Sequence, residues 1–164
     1  MRLSNKSRAP YFNFIHTLLL LFLFAGLVFF VFERFSYKRF GFEENLLIIV
    51  PVILILIFYM RGKQIFEYDS DGEGVTVKNR HIISYFYPPV SDEFPKYKII
   101  SYEIVNAFIL KRLYLTIRSK KSSSLRLKYC ISTLTKKELN DLKHSLSKII
   151  NANLEVERKI EQKV

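Results

Sequence analysis

Two nearly unbroken apolar runs, Phe14–Phe32 and Leu46–Met60, precede a long stretch in which apolar and polar residues alternate, and that stretch ends in a helical repeat. The first run contains only His16 and Thr17 as polar members. As a helix it reaches about 28 Å, close to the hydrocarbon thickness of a bilayer. A cleaved signal peptide has a shorter apolar core that leads into small residues. Here the exit is Phe30, Val31, Phe32 and Glu33, so a retained signal anchor is expected. The second run is shorter than the usual span of about 17–25 residues. Taking in its flanks from Asn45 to Gly62 makes it long enough if they snorkel. Pro51 within it lacks an N–H and frees the carbonyl of Leu47. Two spans are expected, at about 14–32 and 45–62; a re-entrant or interfacial second segment is the alternative.

Charge near the ends of these runs sets the expected orientation. Arg2, Lys6 and Arg8 precede the first run without an acid, and Arg61 and Lys63 follow the second, with Lys78 and Arg80 soon after. The connector Glu33–Asn45 carries Arg34, Lys38 and Arg39. Two spans return the chain to its starting side, and the count favours the cytoplasm for both termini. The lone Cys130 agrees with a reducing compartment, and a single cysteine excludes an intramolecular disulfide or a CxxC site. Tyr11, Phe12, Tyr37, Phe58 and Tyr59 stand where an aromatic belt belongs. In the connector, Phe35, Tyr37, Phe40 and Phe42 alternate with the basic residues, as suits a segment at headgroup level or one touching a partner membrane protein.

After Gly62 the period falls to two. Gln64–Tyr68 reads as a strand, and Asp69–Gly74 as the turn after it. Val75–Lys78 reads as the second strand. Ile82–Tyr87 is the third, stopped by Pro88 and Pro89, and Val90–Pro95 then reads as a polar loop. Tyr97–Ser101 and Ile104–Leu110 read as the fourth and fifth strands. Leu113, Leu115 and Ile117 mark the sixth, and Leu125, Leu127 and Tyr129 the seventh, with Lys120–Ser124 as the hairpin loop. Thr135 and Glu138 then form a capping box at a helix start. Leu139, Leu142, Leu146, Ile149 and Ile150 make one apolar stripe, so a helix is expected from about Lys136 to Asn151. The expected organisation is a membrane hairpin in residues 1–62, a domain in 63–151 and a charged tail in 152–164.

About seven strands closed by an amphipathic helix is the order of a pleckstrin-homology-like barrel, in which the helix plugs one end of a strongly bent antiparallel sheet. The stretch Lys98–Val105 (Lys-Ile-Ile-Ser-Tyr-Glu-Ile-Val) is similar to the "Ile-Pro-Tyr-x-x-Ile-x-x-Val" strand entry of the bacterial PH-like membrane proteins, with Ser101 in place of the proline. Val75–Arg80 resembles their early strand. The resemblance covers roughly residues 61–150, and Pro88–Pro95 looks like an added loop. It implies a PH-like fold and a membrane-proximal interaction module, and it carries no catalytic residues.

The residues themselves offer little catalytic chemistry. The five glycines form neither GxGxxG nor GxxxxGKS. His16, His81 and His144 are far apart in sequence and lack HExxH spacing. His16 reads as an interfacial side chain rather than a haem ligand, and His144 as solvated. Asp69-x-Asp71-x-Glu73-Gly74 is read as a turn, since the twelfth position of a calcium loop falls on Arg80. Cys130 reads as a half-buried strand thiol. No enzyme activity, metal or cofactor is expected.

Charge is the positive signal. The chain has a net charge of +11, and Ile104–Lys137 holds no acid and nine Lys and Arg. Strand alternation turns Leu113, Leu115, Ile117, Leu125 and Leu127 inward and Arg112, Arg118, Arg126 and Lys128 outward, with Lys120 and Lys121 at the tip. These six cations are the candidate contacts for anionic lipid headgroups or an acidic partner. An edge hairpin kept from aggregating by its charge is the competing explanation. Nucleic acid is disfavoured, because Tyr114 stands alone without a stacking cluster. The expected function is non-enzymatic: an integral membrane adaptor or accessory subunit that meets lipid, another membrane protein or a second copy of itself. A membrane sensor or transport accessory that binds a small acidic ligand is the alternative.

Overall fold

The structure is a computed structural model and describes residues 1–35, 42–60, 63–82, 88–107, 110–119 and 123–162. It divides the chain into two units, Arg8–Gly62 and a second one made of Met1–Ser7 together with Lys63–Val164. The first seven residues therefore fold with the alternating part of the chain, not with the apolar runs they precede.

The smaller unit is a helical hairpin. Helix α1 covers Ala9–Phe35 (27 residues) and α2 covers Phe42–Met60 (19 residues). Pro10 falls in the first turn of α1, where a missing N–H costs nothing. The helices run antiparallel: His16 Nε2 lies 2.9 Å from Tyr59 Oη, and further along Gly26 abuts the backbone of Leu47. Both helices show apolar side chains on most of their surface, with Phe24, Phe32, Leu21, Leu56 and Met60 among the most exposed. Lys6–Phe32 is long and apolar enough to cross a membrane, with only 6% of its most apolar window buried; Leu46–Met60 is a shorter apolar helix.

The larger unit is α plus antiparallel β. One sheet has the order β1-β2-β3-β4 and the other β5-β6-β7. The strands are β1 Arg2–Ser4, β2 Ile65–Asp69, β3 Gly74–Arg80, β4 Val90–Pro95, β5 Ile99–Ala107, β6 Leu110–Arg118 and β7 Ser124–Cys130, and α3 Lys136–Glu161 follows them. Seven strands are present among the described residues, as four plus three and without closure into a barrel. Gly72 takes φ +70° in the β2–β3 turn, a region open to glycine. The core joins Phe66, Tyr68, Val75, Val77 and Phe94 of the first sheet to Ile99, Leu113, Leu115 and Tyr129 of the second, with Leu142, Leu146 and Ile149 of α3. The capping box forms as the residue types dictate: Glu138 N donates to Thr135 Oγ1 at 3.3 Å, and Thr135 N donates to Glu138 Oε2 at 2.7 Å.

Four local expectations change. Strand β1 was not legible, because its only apolar residue is Leu3; that residue is buried opposite Tyr68. Val90–Pro95 is a strand rather than a polar loop. Its inward positions are Val90, Asp92 and Phe94, and the acid among them is accommodated by accepting a 2.7 Å hydrogen bond from Tyr129 Oη. The fourth and fifth expected strands are one strand, β5, with a register shift between Ile99 and Ser101, while Tyr97 belongs to a 3-10 turn, Lys96–Lys98. Helix α3 continues ten residues past the expected end, to Glu161. Its extension is rich in good helix formers and includes Glu155 four residues before Lys159. The expected third strand falls largely on residues 83–87, which lie outside the described residues.

Buried polar groups tie the pieces together. Asn5 is 1% exposed. Its side chain donates to Gln64 O and Thr133 Oγ1, both at 2.8 Å, and accepts from Phe66 N at 2.8 Å. The chain thus leaves the larger unit just after β1 and re-enters it just before β2, the strand with which β1 pairs.

Candidate functional site

Strand β6 sits at the centre of the second sheet, and its register with its neighbours lays out the outer face. Tyr114 stands opposite Glu103 on β5 and Lys128 on β7; Arg112 stands opposite Val105 and Cys130; Thr116 stands opposite Arg126. Arg112, Arg118, Arg126 and Lys128 therefore share one face, as the alternation predicts. Lys120 and Lys121 lie outside the described residues.

The face is less free than the local sequence implies. Arg126 forms an ion pair with Glu103, and its guanidinium carbon lies 4.3 Å from the centroid of the Tyr114 ring. A cation held over an aromatic face and gripped by a carboxylate keeps a fixed orientation. Arg118 pairs with Glu157 on α3 at 2.5 Å. Neither acid lies between Ile104 and Lys137, so a scan of that segment misses them. Glu103 is one residue beyond its edge and becomes a neighbour through strand pairing. Glu157 arrives through the unexpected extension of α3. Both pairs are exposed, and pairs of this kind stabilise by about 1 kcal/mol or less. Arg112 and Lys128 have no carboxylate within ion-pair distance among the described residues, and together they flank Tyr114.

The inward set is also modified. Leu113 and Leu115 are fully buried and Ile117 nearly so, but Leu125 is 45% exposed. It faces the core side of the sheet as expected, yet β7 is an edge strand and the opposing sheet does not cover it there.

The other residues with chemical potential are held in structural roles. The Asp69 carboxylate accepts from Asp71 N at 2.9 Å and from Arg2 Nε at 2.8 Å. The Asp71 N–H, followed by Arg2, pulls its pKa below the usual aspartate value. Burial pushes the Tyr129 phenol above the ordinary tyrosine range, and its bond to Asp92 adds to the effect. Burial likewise raises Tyr68, whose Oη lies 3.0 Å from Ser145 Oγ. Cys130 Sγ is 3.3 Å from Ser132 Oγ. His144 is exposed on α3. Among the described residues no three His, Cys, Asp or Glu side chains converge as a metal site.

Comparison of the chain with known protein families, with curated proteins and with solved structures finds no match.

Proposed function

We propose that the protein is a membrane-anchored docking module whose PH-like larger unit presents a basic sheet face to anionic lipid headgroups, in the manner of an adaptor or accessory subunit and without catalysis of its own. The observation that carries this reading is the pairing of β1 with β2, the two strands that flank the helical hairpin. An insertion that leaves and rejoins the chain at adjacent antiparallel strands supports entry and exit on one side of a bilayer, with α1 and α2 as the pair that crosses it. The exposed apolar surface of both helices supports this reading, because soluble proteins rarely leave contiguous apolar patches of that size in water. Retention of α1, as opposed to its removal as a signal sequence, is supported by Leu3 and Asn5, which would be lost with it. The Lys and Arg residues that flank the apolar runs on this side, Arg2, Lys6, Arg8, Arg61 and Lys63, support a cytoplasmic larger unit. The PH-like reading rests on the four-plus-three strand order followed by a C-terminal helix. Tethered at two neighbouring strands, the unit needs no recruitment energy. Arg112 and Lys128, at about 1 kcal/mol per cation close to an anionic surface, would orient it.

The test is vesicle co-sedimentation. Residues 1–7 joined to 63–164 by a short Gly-Ser linker, with the hairpin removed, should bind phosphatidylglycerol vesicles weakly and lose that binding at moderate salt. Arg112→Glu with Lys128→Glu should abolish it. Equal binding to neutral phosphatidylcholine vesicles would refute the reading.

A further inference from the structure

We propose that α1 pairs in parallel with the α1 of a second copy of this chain, along the face that carries Asn13 and Thr17, with the two Asn13 amides hydrogen-bonded to each other. The inference rests on the reading of α1 and α2 as membrane-spanning helices. The polar residues of α1 fall on two different sides. His16 meets Tyr59 of α2 at 2.9 Å, and Gly26 abuts the backbone of Leu47, so these two residues mark the side turned to α2. At about 100° per residue, Thr17 lies about half a turn round the axis from Gly26. Asn13, four residues earlier, shares the exposed side with Thr17.

Both residues are exposed, and neither side chain has a hydrogen-bond partner among the described residues. Polar side chains on a membrane helix turn toward protein, because an unmatched donor or acceptor is costly in hydrocarbon. Helix α2, on the other side of α1, does not serve these two. The same face continues as Leu20, Phe24, Leu27 and Val31, all exposed. With Asn13 and Thr17 they form a row with alternating gaps of four and three residues. That is the spacing of a seam between two helices crossing at about 20°. One side of α1 is thus filled by α2, and the open side holds the unmatched amide.

The amide selects the occupant. Lipid tails are as apolar as leucine, so a polar contact is what makes one helix pairing better than another in a bilayer. A primary amide has both donors and an acceptor, so two copies of Asn13 satisfy each other. Copies inserted by the same route run in the same direction through the bilayer. Parallel helices set each seam residue opposite its own counterpart, so Asn13 meets Asn13 and Thr17 meets Thr17 at equal depth. A helix of another protein would have to bring a matching polar group to that depth, whereas a second copy carries one there already.

The experiment uses the full chain in a Cys130→Ser background, reconstituted in phosphatidylcholine liposomes that hold no other protein. Single cysteines are placed on the seam, Leu20→Cys or Leu27→Cys, and off it, Phe22→Cys, which is exposed about half a turn from Asn13. Oxidation with copper phenanthroline is read as covalent dimer, and flotation with the liposomes reports insertion. The seam positions should cross-link several-fold more than Phe22→Cys. Asn13→Leu should cut the Leu20→Cys yield several-fold, and Asn13→Gln, which keeps the amide, should restore most of it. A chain that floats but cross-links equally at Leu20→Cys and Phe22→Cys, or is indifferent to Asn13→Leu, would overturn the proposal and leave the two-span reading standing. A chain that fails to float would overturn both. Cross-linking of Leu20→Cys to a different protein in cells, with none between copies in liposomes, would also overturn it, in favour of a foreign helix on this face.

Discussion

The carbonyl oxygen of Leu47 lies 2.5 Å from where a β-carbon on Gly26 would stand. It is also the carbonyl that Pro51, four residues on in α2, cannot serve as a hydrogen-bond donor. A freed carbonyl is costly in hydrocarbon, and the bare Cα of a glycine lets the facing helix close over it. Two residues that look like helix defects when read singly, Gly26 and Pro51, are complementary across the hairpin.

Gly26→Val should therefore force the helices apart, at about 1–3 kcal/mol for overpacking. In a Cys130→Ser background, His16→Cys with Tyr59→Cys replaces two side chains that meet at 2.9 Å, and this pair should cross-link readily in membranes. Adding Gly26→Val should cut the yield several-fold. An unchanged yield would mean that the close approach does not hold the hairpin.

Strand β1 should be energetically substantial despite its three residues. Leu3→Ala removes a buried side chain, a change that costs about 2–5 kcal/mol. Asn5→Ala strands the partners of three side-chain hydrogen bonds, each worth about 1 kcal/mol. Residues 63–164 alone should melt well below the linked form that retains residues 1–7. Coincident melting curves would show that β1 contributes nothing.

The charge of the outer face should be tunable through its acids. Glu103→Gln releases Arg126 and Glu157→Gln releases Arg118, so each should strengthen co-sedimentation with anionic vesicles and steepen its salt dependence. Folding should change by about 0.5 kcal/mol or less, since both pairs are exposed. Weaker binding in either variant would mean that the ion pairs orient the arginines for contact, not that they mask them.

His81 gives the stability a sign in the acid range. Burial, and then the nearby Lys63 charge, hold its folded pKa below 6.5. Well above 6.5 the imidazole is neutral in both states and stability is full. As the pH falls below 6.5 the unfolded chain takes up a proton that the folded chain refuses, so stability declines until the folded pKa is passed. Melting temperatures at pH 7.5 and 5.5 should show this decline in the native chain, and His81→Gln should reduce it. An equal decline in both would assign it to other groups.

Legibility in the sequence followed the strength of local signals. Strands β6 and β7 and the start of α3 were readable because Leu113, Leu115 and Ile117 repeat at period two and Thr135 and Glu138 form a capping box. Strand β1 escaped because Leu3 is a single apolar residue whose burial depends on Tyr68, far away in the chain. Strand β4 escaped because Asp92 occupies a core-facing position, which only its bond to Tyr129 makes tolerable. Alternation puts Arg112, Arg118, Arg126 and Lys128 on one face, as the β6–β7 register does, whereas the partial neutralisation of that face depends on pairing with β5 and on the reach of α3. Neither of these is a local property of the basic segment.

The most direct measurement of the central claim, an apolar hairpin inserted between paired strands on one side of a bilayer, is cysteine labelling with a membrane-impermeant maleimide in a Cys130→Ser background. Single substitutions would be Ser4→Cys on β1, Ser36→Cys in the connector and Lys143→Cys on α3. The account predicts that Ser36→Cys reacts from outside intact cells, while Ser4→Cys and Lys143→Cys react only after permeabilisation. Labelling that places Ser4→Cys and Lys143→Cys on opposite sides, or Ser36→Cys on the same side as both, would contradict it.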